Sequence, residues 1–258
     1  MARHCYVLRV FTRDGSGGNS LGVVTDILGL DDAKMQRIAT DLGFSETIFL
    51  SWFEGIMPKA RIFTPSTEIP FAGHPLVGAA WVLINLGPMD PGAIECAIGP
   101  VRIRQADGRT WIDRAGGQPV RSVSAELPEL VAVDIAEVLM PMPYLIVQVG
   151  TPDEVETMTP SQAAGLGEVY VWAWEREGQT VRARFFAPDL GITEDPATGS
   201  AAVALAARLR DQGQTSGAIV IHQGQEVGHP SRIELVWDRE LTSIGGMVAR
   251  DEVRFLKL

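Results

Sequence analysis

One phrase occurs twice in the chain and limits what it can fold into. It consists of a strand ending in R-x-F-x-P, a polar loop, and an apolar helix opened by a glycine. The first copy reads Arg61-Ile62-Phe63-Thr64-Pro65, then Phe71-Ala72-Gly73-His74-Pro75, an apolar run over residues 76–86 and a closing Gly87. The second reads Arg184-Phe185-Phe186-Ala187-Pro188, then Glu194-Asp195-Pro196-Ala197-Thr198-Gly199-Ser200-Ala201-Ala202, an apolar run over 203–209 and a stop near Gly213. Registering Gly73-His74 on Gly199-Ser200 aligns Val77 with Val203, Ala80 with Ala206 and Leu83 with Leu209, with three extra residues in the second loop. A solenoid needs more copies than two. A duplicated unit, with two halves facing each other across a cleft, is the arrangement expected.

Each helix start is also a chemical feature. First-turn N–H groups have no partner within a helix, and the helix dipole makes that end mildly positive. With glycine allowing close approach, such an end holds an anion. Asp195 stands at the lip of the second one. His74 lies between Gly73 and Pro75, where proline suits the first helical position. A helix N-terminus lowers an imidazole's pKa, which favours a neutral donor able to polarise or protonate a substrate. Glu46 lies in the β-forming run of residues 44–50 and taken alone reads as the solvent face of a strand. In company with two helix mouths it becomes a proton-transfer candidate, with Phe44 and Phe49 placed to raise its pKa. Asp195 and Ser200 have competing readings as turn and cap residues.

The rest of the chain reads as short strands with few helices: strands over 5–11, 21–25, 59–63, 93–98, 101–104, 110–113, 142–149, 169–174, 181–186, 218–222, 232–237 and 246–255. A helix with Asp31 as N-cap and Gly43 as stop, and a short helix over 128–139, complete the set. The fold class expected is α+β, with two pseudo-symmetric domains of antiparallel strands, each wrapped around a central apolar helix. The domains are residues 1–118 and 119–258, the last strand crossing back to the first half. The junction falls between Gly116 and Pro128.

At 258 residues, 46% hydrophobic and 21% charged, the chain has ample material for a core. A net charge of −10 argues against a nucleic-acid partner, whose phosphates need basic surface. Cys5 and Cys96 have no metal or redox spacing and read as buried small hydrophobes. No membrane span and no signal-type apolar core is read, so a cytoplasmic protein is expected. There is no G-x-G-x-x-G and no Walker loop, and no short-spaced ligand pair for a metal.

In order, the segments Val10-Phe11-Thr12 with Gly18-Asn19, Ser45-Glu46-Thr47, Arg61–Pro65, Phe71–Pro75, Glu194–Ala202, and Gln223-Gly224 with Gly228 and Pro230-Ser231 resemble the phenazine-biosynthesis isomerase (PhzF-like) family, of diaminopimelate-epimerase-type fold. The resemblance implies a cofactor-free, usually homodimeric isomerase with its site in the cleft between two similar halves. It makes Glu46 the general acid/base. His74 and Asp195 would be catalytic companions, and Gly73, Gly199, Ser200, Asn19 and Ser231 would hold a small carboxylate substrate, anthranilate-like in the family's best-known member. The paired thiols of true epimerases are missing near the two helix starts. The chain has Gly18-Asn19-Ser20 where the family commonly has G-N-P, and His229 where it commonly has arginine. A racemase of small amino or hydroxy acids and a ligand-binding protein without turnover are the alternatives.

Overall fold

The computed structural model describes residues 3–25, 27–53, 56–87, 90–123, 130–188 and 191–256. By packing, the chain divides into one unit of Met1–Asp113 with Gly245–Leu258 and another of Arg114–Ile244.

The first unit opens with β1 (Arg3–Thr12), antiparallel to β2 (Asn19–Val24). Helix α1 (Asp32–Leu42) then carries the chain over to β3 (Glu46–Ser51), which lies parallel to β2. Asp31 caps α1 by accepting from the Lys34 amide, and Gly43 ends it in the left-handed conformation that a side chain would strain, both as the sequence predicts. β4 (Lys59–Phe63) returns antiparallel to β3 and pairs with the two-residue β5 (Glu68–Ile69). Helix α2 (Gly73–Leu86) crosses to β6 (Ala93–Cys96), parallel to β4; β7 (Gly99–Ala106) and β8 (Arg109–Ala115) follow antiparallel. β17 (Leu241–Leu256) pairs antiparallel with β1 through residues 247–256.

The second unit repeats that order of pairings. β9 (Val120–Ser122), β10 (Ala132–Leu139) and β11 (Pro143–Val149) run antiparallel in turn. The short helices α3 (Pro152–Thr157) and α4 (Pro160–Ala163) cross to β12 (Glu168–Arg176), parallel to β11. β13 (Thr180–Ala187) returns antiparallel and pairs with β14 (Ile192–Asp195). Helix α5 (Gly199–Asp211) crosses to β15 (Gly217–Gln223), parallel to β13, and β16 (Ser231–Trp237) closes antiparallel.

Two expectations need correction. The strands are not all antiparallel: β2–β3, β4–β6, β11–β12 and β13–β15 are parallel. A helix inserted between neighbouring strands carries the chain back to the starting edge, and that crossover makes the next strand parallel. The short helix expected over 128–139 is β10 from Ala132 onward. Its stretch Ala132-Val133-Asp134-Ile135 is drawn into a ladder with β11, which overrides weak local preference. Residues 128–129 of that segment, and residues 124–128 of the predicted junction, lie outside the described residues.

Both long helices are apolar nearly all round and buried nearly all round, from Gly73 to Ala80 in α2 and from Gly199 to Leu209 in α5. α2 packs on β1, β2, β3 and β7, and α5 on β9, β10, β11 and β16. Gly78 marks how closely α2 approaches its sheet: a Cβ there would stand 2.3 Å from Leu21 Cδ2. The arginines of the two R-x-F-x-P phrases do matching work. Arg61 grips Glu68 of β5 at 2.7 Å and Asp32 of α1 at 2.7 Å. Arg184 grips Glu194 of β14 at 2.7 and 2.9 Å and donates to the carbonyls of Val155, Glu156 and Met158 around α3. Cys5 and Cys96 are free and buried, and burial pushes the Cys5 thiol up to about 11. Among the described residues no helix is long and apolar enough to cross a membrane, and no three His, Cys, Asp or Glu side chains gather as a metal site.

Candidate active site

In the first unit the ladder puts Glu46 at the opening of β3, opposite Leu21 of β2, and Asn19 at the opening of β2. The start of α2 meets them there. His74 Nε2 stands 3.5 Å from Glu46 Oε2, with the two side chains 3% and 13% exposed. Ser45 Oγ donates to Asn19 Oδ1 at 3.3 Å, and Asn19 Nδ2 donates to His74 Nδ1 at 3.3 Å. An imidazole that accepts at Nδ1 carries its proton on Nε2, the nitrogen that lies 3.5 Å from Glu46 Oε2, outside hydrogen-bond geometry. Burial holds the His74 pKa down at about 3, far below the usual 6.5. The ring is therefore neutral at ordinary pH, and its Nε2 offers an N–H rather than a positive charge.

In the second unit the loop before α5 is tied to the neighbouring strands. Thr198 Oγ1 donates to Asp195 Oδ2 at 2.6 Å. Gln223 Nε2 donates to the Asp195 carbonyl at 2.7 Å and to Thr198 Oγ1 at 3.0 Å, while its Oε1 accepts from the Thr198 amide at 3.3 Å. Gly224 permits this closeness, since a Cβ there would stand 2.4 Å from the Pro196 carbonyl, and its φ of +79° suits glycine. Ser200, second residue of α5, accepts from the Tyr144 hydroxyl at 2.9 Å. Tyr144 also hydrogen-bonds Glu168, whose pKa burial pushes up to about 7.

The two long helices share a third trait. Asp31 and Thr151 cap α1 and α3 with side-chain hydrogen bonds, but Ala72 and Thr198 place no side chain on the first-turn amides of α2 and α5. Ala72 has nothing to give, and the Thr198 hydroxyl is turned to Asp195. Those amides stay available to an anion.

The structure thus gathers Asn19, Glu46, Gly73 and His74 in one unit, and Asp195, Gly199 and Ser200 in the other. Ser231 is fully buried and donates to the His229 carbonyl at 2.8 Å, in the β-ladder opposite Gln223. It frames the Asp195 loop through Gln223. Sequence reasoning passed over Thr198, Gln223, Tyr144 and Glu168 as site residues. The signal for Glu168 lay in the repeat, because it opens β12 as Glu46 opens β3.

The sequence pattern of the family described as "Phenazine biosynthesis-like protein" matches residues 8–140 and 141–247. An uncharacterized isomerase of Mesorhizobium japonicum is 33% identical, over 96% of this chain and 93% of that protein. The trans-2,3-dihydro-3-hydroxyanthranilate isomerase of Pseudomonas aeruginosa is 32% identical, over 89% of each chain. The crystal structure of a PhzF-family protein of Bacillus anthracis covers the whole of both chains with a TM-score of 0.83 at 23% identity, a likeness of fold.

Proposed function

Because the chain belongs to the phenazine biosynthesis-like protein family and is a PhzF-like isomerase, we propose that Glu46 moves a proton between two carbons of a small cyclic carboxylate, without a cofactor. The observation that carries this reading is the contact between Glu46 Oε2 and the proton-bearing Nε2 of neutral His74. The Glu46 carboxylate takes a proton from a C–H beside a double bond, and the electron pair of that bond moves into the conjugated system. The protonated Glu46 then gives the proton to the far carbon of that system. The double bond has moved, the substrate's formula is unchanged, and Glu46 is a carboxylate again. His74 steadies whichever oxygen carries negative charge, as a donor that needs no reorganisation at the moment of reaction.

In this reading the amides at the start of α5 and the Ser200 hydroxyl take the substrate carboxylate, and Asp195 assists proton return. Binding that carboxylate draws charge away from the reacting carbon. The relative named for trans-2,3-dihydro-3-hydroxyanthranilate makes a cyclohexadiene carboxylate the substrate class to try first. The repeated order of pairings and the two matching arginine clamps support a duplicated, pseudo-symmetric pair of halves, each built on its apolar helix.

Wash-in of solvent deuterium tests the proposal, with trans-2,3-dihydro-3-hydroxyanthranilate as probe. Native protein incorporates deuterium and shifts the double bond, also after exhaustive dialysis against chelator, and Glu46→Gln does neither while still binding the probe. Exchange that survives in Glu46→Gln would overturn the role of Glu46. Exchange at a stereocentre with no movement of the double bond would mark a racemase, and neither exchange nor double-bond movement in either form a binding protein.

A further inference from the structure

The second unit holds a carboxyl in the place that Glu46 occupies in the first. Leu21↔Glu46 opens the parallel pairing of β2 with β3, and Tyr144↔Glu168 opens the parallel pairing of β11 with β12. The second residue of the apolar helix then meets each place: His74 of α2 beside Glu46, and Ser200 of α5 beside Tyr144. Where the first unit has carboxyl and imidazole in contact, the second has a file of three: carboxyl, phenol and hydroxyl.

A phenol has one proton, so the file has two states. With Glu168 protonated, its O–H donates to Tyr144, Tyr144 donates to Ser200, and the Ser200 proton is left to point outward. With Glu168 ionised, Tyr144 turns its proton to the carboxylate, and the Ser200 proton turns back to Tyr144. From the geometry of this file we infer that Glu168 is a positioning residue which, through Tyr144, decides whether the Ser200 hydroxyl donates to a bound carboxylate.

Two features favour the first state at rest. The Tyr144 hydroxyl lies 2.9 Å from Ser200 Oγ with its proton directed there. Glu168 Oε2 is buried without a hydrogen-bond partner among the described residues, which a neutral carboxyl tolerates far better than a carboxylate. The influences on Glu168 are burial, which holds its proton on to about pH 7, and the Tyr144 hydroxyl from β11, which opposes burial. α5 adds Ser200, itself uncharged, behind Tyr144.

This inference rests on the reading of Ser200 as a carboxylate-binding group, and its test separates the two. The chain has three tyrosines, Tyr6, Tyr144 and Tyr170, so a protein labelled at tyrosine 13Cζ gives three signals, and the one missing from Tyr144→Phe is that of Tyr144. The Tyr144 signal should move through a single transition near neutral pH in the native protein and stay flat in Glu168→Gln, whose amide donates to Tyr144 at every pH. In parallel, binding of anthranilate, ionised throughout, should weaken about tenfold from pH 6 to 8.5 in the native protein, one lost hydrogen bond to a charged group, and less than twofold in Glu168→Gln. A flat native Tyr144 signal, or a transition that persists in Glu168→Gln, overturns the inference. If anthranilate binds neither form, the proposed carboxylate site fails and the tyrosine titration still decides the file.

Discussion

His74, second residue of α2, holds its Nε2 3.5 Å from Oε2 of Glu46, first residue of β3, while Asn19 occupies the ring's other nitrogen. One helix start and the openings of two parallel strands fix the tautomer of the imidazole. The chemistry proposed for the protein depends on that arrangement.

Glu46→Gln should lower kcat by about 10²–10⁴-fold, the usual share of a general acid/base, with little change in probe affinity. Steady-state rates with binding measured separately check this, and a parallel loss of affinity would give Glu46 a binding role instead.

Asn19→Leu removes the donor to Nδ1 and leaves the ring free to move its proton there. The expected result is a fall in kcat of up to about 10²-fold, the low end for a donor that itself faces the developing charge, and a changed His74 tautomer by 15N NMR. An unchanged tautomer would mean that Asn19 does not set it.

Stability should depend on pH through two groups of opposite sign. His74 titrates near 6.5 when unfolded and about 3 when folded, so between those values only the unfolded chain holds the proton. Stability therefore falls as pH drops below 6.5, by up to about 1.4 kcal/mol per unit, and His74→Gln should flatten that slope in urea titrations. Glu168 goes the other way: its pKa is 4.5 unfolded and about 7 folded. The folded chain then keeps a proton the unfolded chain has lost, stability falls as pH rises from 4.5 to 7, and Glu168→Gln removes that loss. The two slopes oppose each other between 4.5 and 6.5.

The two arginine clamps look alike and should differ in worth. Arg184 and Glu194 are 7% and 5% exposed, whereas Arg61 and Glu68 are 33% and 41% exposed. Arg184→Met leaves the buried Glu194 carboxylate and the Glu156 and Met158 carbonyls without the guanidinium donor and should cost about 3–5 kcal/mol. Arg61→Met should cost about 1 kcal/mol or less, since water can replace the guanidinium. Chemical denaturation of both variants gives the comparison.

Gly78→Ala should destabilise by about 1–3 kcal/mol, because the added methyl meets Leu21 and Val10 and α2 must lift from its sheet. As α2 carries His74, activity should fall further than unfolding alone explains.

What could be read from the letters was the repeat, most strand positions, the cap and stop of α1, and both buried helices, because each is written in contiguous residues. The apolar run that forms α5 and the Asp31 and Gly43 signals around α1 act over a few positions of chain. Glu46 and His74 were named singly, by local context and resemblance. Neither the proton on Nε2 nor the tie through Asn19 to Ser45 could be read, since both depend on which strand lies beside which.

The sequence by itself determined that one phrase is written twice and that each copy of it runs into a helix too apolar to stay in water. Tertiary structure alone decided that the crossovers make four strand pairs parallel. It also decided that residues 132–139 join a ladder, and that Glu168, Tyr144 and Ser200 line up. Local propensity is a weak force over eight residues, while a hydrogen-bonded neighbour and burial act together and override it. Side chains distant along the chain meet only where that register places them.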